Sequence, residues 1–221
     1  MVETFKPKTD YKVVGTRPIR HDGYDKVTGR AIYGADMKLP GLIWAVCVRS
    51  PHAHANIKSI DTSAAEAADG VFAVITGADM PEAPSKLVDL GEGAINFKWA
   101  SNKLMADDKV LYKGHPVAAV AATDRYAAEE AARMVVVEYE VLPSITNVVD
   151  ALTEDAPILL EDLVGDDLGE DVTNTNMATH TRDEFGDVEG AMNSAAHTIE
   201  REYNMQMVHQ GYIEPHNATA I

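Results

Sequence analysis

Residues 134–181 carry eleven Asp and Glu and no Lys or Arg. A like-charge run of this length resists compaction unless cations from elsewhere reach it, so it divides the chain more firmly than any other feature. Its densest part, residues 154–171, reads EDAPILLEDLVGDDLGED. The ILL and LV inside it suit apolar anchors on a surface, so the run is expected to be a connection lying along a first domain. The rest of the chain is less one-sided: residues 1–30 hold seven Lys and Arg against four acids.

The first part alternates short apolar runs with short helical patterns. Residues 42–49 follow the turn Leu39-Pro40-Gly41 and have the composition of a buried strand. Residues 54–60 predict a second, weaker strand. Asp61, Thr62 and Ser63 are cap-type residues opening a helix that Gly70 ends. Residues 71–76 predict a strand stopped by Gly77. Residues 110–112 and 117–122 predict strands around a turn at Lys113-Gly-His-Pro116. Thr123 and Asp124 cap a helix running to Met134, with Ala127, Ala128, Ala131, Ala132 and Val135 on its apolar face. Residues 135–141 alternate Val137, Tyr139 and Val141 against Glu138 and Glu140, and Pro143 closes that strand. Small alanines facing a sheet imply a layered domain of mixed α and β structure.

Beyond the acidic run, residues 199–207 set Ile199, Tyr203, Met205 and Met207 against Glu200, Glu202, Asn204 and Gln206. That alternation predicts a long half-buried strand. The apolar residues Ala218-Thr-Ala-Ile221 suit a cut made inside a sheet, or a domain completed by another chain.

Composition excludes several classes. The chain has 221 residues and 46% hydrophobic residues, enough to bury about 70% of its unfolded surface without a disulfide or metal staple. Its formal net charge of −16 opposes phosphate backbones and anionic lipid. Neither a membrane-length apolar run nor a signal-peptide core is present, so the cytoplasm is the expected compartment. One cysteine, Cys47, permits no intrachain disulfide and suits a reducing compartment. Inside the apolar run it is expected to be a buried structural thiol.

Autonomous catalytic equipment is sparse. The sequence holds no GxGxxG, no Walker-type loop and no HExxH. Gly91-Glu-Gly93 is an isolated GxG with no strand before it. His52-Ala-His54 is an incomplete metal pair, better read as a hydrogen-bonded loop entering a strand. Arg49-Ser-Pro51 is a turn whose Arg suits a carboxylate, and Gly23-Tyr-Asp-Lys-Val-Thr-Gly29 has a loop's composition. His209-Gln-Gly-Tyr-Ile-Glu214-Pro215-His216 is the most site-like cluster, either a base or ligand group near a pocket or a set bonding backbone where a strand breaks.

Five segments in order resemble the molybdopterin-binding large subunit of the xanthine dehydrogenase and aldehyde oxidase family. They are Arg20-His-Asp22-Gly-Tyr-Asp25-Lys26-Val-Thr28-Gly29-Arg-Ala31-Ile-Tyr33-Gly-Ala-Asp36 with Leu39-Pro40-Gly41; Arg49-Ser50-Pro51-His52-Ala53-His54-Ala55; Gly70-Val71 through Thr76-Gly77-Ala78-Asp79; Tyr112-Lys-Gly114-His-Pro116-Val117-Ala118; and Val137-Glu-Tyr139-Glu140-Val-Leu142-Pro143. Gln206-Met-Val-His209-Gln-Gly-Tyr-Ile-Glu214-Pro215-His-Asn-Ala218 resembles the entry to that family's molybdenum-binding region.

The resemblance implies an α+β fold. An N-terminal extension (1–19) would precede an α/β hammerhead domain (20–150), an acidic linker (151–171) and the β-rich, incomplete start of the molybdopterin-binding domain (172–221). It also implies the parent chemistry: hydroxylation of an aldehyde, purine or N-heterocycle with water as oxygen donor. One branch oxidises carbon monoxide, and another reductively removes a phenolic hydroxyl from an aromatic thioester. Electrons pass from molybdenum to iron–sulfur clusters and then usually to FAD on partner subunits or domains. The family's cofactor loops, substrate-orienting residues and base glutamate lie beyond Ile221 in this register. No catalytic, cofactor-binding or metal-binding residue is therefore assigned here, and His209 and Glu214 are read as shaping the domain entry. The expected role is structural or in assembly, beside the remainder of the subunit and the iron–sulfur and FAD subunits. The other reading is a stand-alone binding or assembly module with no enzymatic activity.

Overall fold

The computed structural model describes residues 11–84, 86–89, 91 and 94–221. Glu92 and Gly93 of the GxG, and residues 1–10 of the N-terminal extension, lie outside the described residues. The chain divides into two compact units, Gly41–Arg201 and a unit made of Met1–Pro40 with Glu202–Ile221.

Within the latter, α1 (Gly23–Thr28) occupies a stretch whose composition suggests a loop. Asp22, just before it, bonds Arg20 and pairs with Lys26 at 2.8 Å. These contacts, the Arg20 hydrogen bond foremost, hold its carboxyl far below the usual carboxylate range. Gly29 closes the turn with φ of +72°.

The larger unit opens with β1 (Trp44–Arg49), β2 (Ala55–Asp61), α2 (Ser63–Glu66), β3 (Val71–Thr76), β4 (Leu87–Asp89), β5 (Ala94–Asn96) and α3 (Phe97–Leu104). It continues through β6 (Lys109–Val110), β7 (Pro116–Ala122), α4 (Arg125–Ala132) and β8 (Val136–Val141). Three short strands follow, β9 (Gly165–Asp167), β10 (Glu170–Val172) and β11 (Thr179–His180), and then α5 (Val188–Ser194).

Two antiparallel three-stranded sheets form the body, in the orders β1-β7-β3 and β6-β2-β8. The strands flanking the Lys113–Pro116 turn therefore belong to different sheets. β7 is the central strand because its sequence, PVAAVAA, has no charge and mostly small side chains. Pro116 stands at its first position, where a missing N–H is tolerated. α4 packs across β1 and β7. Its cap is Asp124, whose Oδ1 accepts from Tyr126 N at 2.9 Å and Ala127 N at 3.0 Å, an arrangement that contributes about 1 kcal/mol.

Two apolar clusters result. Ala65, Val120 and Ala131 pack with Val48, Val71, Val74 and Val135 between the first sheet and its helices. Ala55, Ala106, Val110 and Val117 pack with Ile57, Ile60, Val137 and Tyr139 against the second. Each fully buried valine contributes roughly 1.5–3 kcal/mol. Gly77 is needed where the two halves touch: a Cβ there would lie 2.5 Å from the Ala106 carbonyl oxygen.

Three sequence expectations change. The helix opened by Asp61–Ser63 is a single turn, Ser63–Glu66, with Asp61 Oδ1 accepting from the N–H and hydroxyl of Ser63 at its start. Cys47 is exposed, not buried. The helices cover one face of the first sheet only, so Val46 and Val48 turn toward them while Cys47 turns away. Residues 199–207 form no strand and are exposed throughout. Alternation makes a strand only when a neighbour takes up its backbone groups, and none of the described strands pairs with this segment.

Candidate functional site

The acidic run is held onto the body rather than left in solvent. Within the run, Asn176 ties its segments together: its Nδ2 donates to the carbonyls of Ala151 (3.0 Å) and Pro157 (3.1 Å), and its Oδ1 accepts from Leu159 N (2.9 Å). Leu159 and Leu160 are half-buried beside α3 and β6. Lys98 of α3 pairs with Asp162, and Lys109 of β6 pairs with Glu161. Glu161's carboxyl sits below the usual carboxylate range, chiefly through its hydrogen bond from Lys109. Between these elements lies a cleft of about 360 Å³. Trp99 lines it, with the Lys98 ammonium 5.0 Å from the Trp99 ring centroid, and Asp107 and Asp108 edge it.

A second polar centre is fully buried. His115 Nδ1 accepts from Leu111 N at 3.2 Å, and its Nε2–H donates to the Asn102 carbonyl at 2.7 Å. The two bonds fix one neutral tautomer, and burial lowers the imidazole's pKa from its usual value. Tyr112 stacks on the ring at 4.3 Å. Arg49, expected to suit a carboxylate, instead donates to the Gly114 carbonyl at 2.9 Å. His115 thus ties α3 to the turn before β7, a role visible in sequence only as an imidazole inside a Gly-His-Pro turn.

The two histidines of His52-Ala-His54 take different partners. The His52 ring meets Tyr139 edge-on at 5.0 Å. His54 is buried, and its Nδ1–H donates to the Pro143 carbonyl at 2.6 Å. In the smaller unit, His209 Nδ1 accepts from Gly211 N at 3.0 Å, and Tyr212 bonds His216. Glu214 and both imidazoles there are exposed, so this cluster has the geometry of a locally bonded loop. Among the described residues no group of three or more His, Cys, Asp or Glu is placed to hold a metal ion. Both cleft lysines are tied to carboxylates, Lys98 to Asp162 and Lys109 to Glu161, so neither is held ready for an anionic group. No described helix is long and apolar enough to cross a membrane.

Residues 28–143 match the family model described as aldehyde oxidase and xanthine dehydrogenase, a/b hammerhead domain. The carbon monoxide dehydrogenase large chain of Afipia carboxidovorans is 41% identical over 73% of this chain and 19% of its own length. The nicotinate dehydrogenase large molybdopterin subunit of Eubacterium barkeri is 32% identical over 93% of this chain and 44% of its own. Among solved structures, reconstituted CO dehydrogenase from Oligotropha carboxidovorans superposes with a TM-score of 0.63 at 37% identity, covering 81% of this chain and 22% of that one. Aldehyde oxidoreductase from Desulfovibrio gigas gives 0.55 at 31% identity, covering 68% and 18%. The chain thus spans less than half the length of each of these relatives.

Proposed function

The chain belongs to the aldehyde oxidase and xanthine dehydrogenase family, and from that premise we propose that it is the N-terminal part of the large subunit of a molybdenum hydroxylase. The observation that carries this reading is the two-sheet body of Gly41–Val141, which coincides with the matched hammerhead region. In the complete enzyme, an aldehyde, purine or N-heterocycle is hydroxylated with oxygen from water. Molybdopterin sits in the remainder of the subunit, and iron–sulfur clusters and FAD sit on partners, in the cytoplasm. This chain's contribution is structural: a rigid layered body that the remaining polypeptide assembles on.

Metal analysis and turnover test the reading. The purified 221-residue chain is expected to retain no molybdenum and to oxidise no aldehyde or heterocycle. The complete subunit, expressed with its iron–sulfur and FAD partners, is expected to do both. A chain that alone holds a molybdenum pterin and turns over such a substrate overturns the proposal.

A further inference from the structure

The two sheets of the body differ on their outer faces. On β2 and β8 the outer face is mainly polar, with Val136 its exposed apolar residue at the start of β8. Asn56 donates to Glu140 at 2.9 Å, Lys58 pairs with Glu140 at 2.8 Å, and Ser59 bonds Glu138. This is a face finished for water. On β1-β7-β3 the register places Cys47, Ala119 and Ile75 in one row and Ala45, Ala121 and Ala73 in the next. Cross-strand partners share a face, so these six side chains form one patch with no charge and no hydrogen-bonding side chain except a thiol. Cys47, Ala45, Ala73 and Ile75 are exposed, Ile75 by 41%. Phe72, at the irregularity beside Ala73, is exposed by 64%. In a chain of net charge −16, a six-residue strand-face patch without a charged side chain is suited to contact.

We infer that this outer face of β1-β7-β3 is the docking surface for an uncharged, apolar segment of the polypeptide that follows residue 221 in the complete subunit. Three observations select that occupant. Two curated relatives match this chain over only 19% and 44% of their own length, so on the proposed reading a large further polypeptide belongs to the same subunit. The face, three strands wide and about six residues long, covers on the order of 300 Å². A stable dimer needs about 800 Å² per partner, whereas a tethered segment binds such a small area through high effective concentration. Alanines also let a partner backbone approach closely without ordering long side chains. The inference rests on the reading of this chain as part of a larger subunit.

Cys47, this chain's sole cysteine, lies on the β1 side of the face, opposite Ala119 of the central strand, and reports its cover. The experiment measures maleimide labelling of the Cys47 peptide by mass spectrometry, in the 221-residue chain and in the complete subunit. Labelling is expected to be at least tenfold slower in the subunit, independent of protein concentration. Ala45→Lys, at an exposed edge position, is expected to restore rapid labelling there. Ser59→Lys, on the polar face of the other sheet, is expected to leave it slow. A subunit that holds molybdenum yet labels as fast as the isolated chain overturns the docking inference and leaves the functional reading intact. Protection in a subunit that holds no molybdenum upholds the docking surface and counts against the functional reading. Protection that grows with the concentration of the 221-residue chain alone assigns the face to a second copy and overturns the inference.

Discussion

The body of Gly41–Val141 and the acidic stretch of residues 150–180 are both ordered, but by opposite means. The body is held from within: β7 carries small apolar side chains into two clusters, and the helices and strands close over them. The acidic stretch has no cation of its own. Its order comes from Lys98 and Lys109, which reach it from the body, and from the amide of Asn176 within the stretch itself. A run of like charge therefore marks a place where outside partners decide the conformation, and it does not by itself mark a solvated connection. The contrast makes different demands of each region: the body should answer to volume and burial, the acidic stretch to hydrogen bonds and salt.

The largest effect is expected at Ala131, which is 1% exposed at the α4–sheet contact. Ala131→Asp places a carboxylate in an apolar cluster with no cation beside it. A loss of at least about 4 kcal/mol follows, enough to abolish a cooperative urea transition. Met207→Asp makes a comparable change in a fully exposed segment and should move the midpoint by less than about 0.5 kcal/mol equivalent. Comparable effects at the two sites would erase the distinction between packed alternation and alternation without a neighbour.

Next comes His115. His115→Ala strands the Leu111 N–H and the Asn102 carbonyl in the interior, at about 1–3 kcal/mol each. The wild-type side chain also makes the body pH-sensitive. Burial depresses its folded pKa below the ordinary 6.5, so the unfolded state binds the proton more readily. Its contribution is complete above about pH 6.5 and is lost as pH falls from there through the depressed folded value. Urea midpoints measured from pH 8 to 5 should decline in wild type, and the part due to His115 should vanish in His115→Ala. Identical slopes in the two proteins would remove the imidazole from the account.

The sequence shows the body well and its fastenings poorly, for a physical reason. Strand period, the Asp124 cap and the alanine face of α4 are local signals, and β3 lies where residues 71–76 predict it. Local pattern is silent on what covers each face. Cys47 therefore reads as buried from its run of apolar neighbours, although only one side of β1 is covered. Residues 199–207 read as a strand because alternation records a preference and not a partner. α3 escapes although Phe97, Ala100 and Leu104 of FKWASNKL stand at helical spacing, because the run is only eight residues long. Asn176 escapes because nothing in Asn-Thr-Asn announces an amide that bonds segments 17 to 25 residues away. The resemblance names the domain, yet the cleft, its two ion pairs and the His115 tie emerge only when distant segments meet.

Asn176 gives the third test. Asn176→Ala breaks three bonds at once and should loosen residues 151–160 by about 1–3 kcal/mol, read as faster amide exchange and a new protease site in that segment. The urea midpoint of the body should stay put, because no residue of either apolar cluster touches that amide's bonding set. A global loss would mean that the acidic stretch is part of the body's own cooperative unit.

The smallest effect is the most discriminating, since it concerns charge alone. Lys109 is largely covered, with 16% of its side chain exposed, but its partner Glu161 is 68% exposed. Solvent therefore screens the pair, and it should contribute only about 0.2–1 kcal/mol. Lys109→Met leaves Glu161 without its principal hydrogen-bond donor and should raise the carboxyl's pKa back toward its ordinary 4.5. Because pairing lowers that pKa in the folded state, the pair's contribution is present above about pH 4.5 and lost as pH falls through the lowered value. Salt acts in the same direction: raising ionic strength shortens the screening length from about 10 Å at 0.1 M to about 3 Å at 1 M. Amide exchange of residues 158–163 should quicken with added NaCl in wild type and respond less in Lys109→Met, while β7 amides hold their protection in both. If β7 responds as strongly as the acidic stretch, the two regions are not held by different forces.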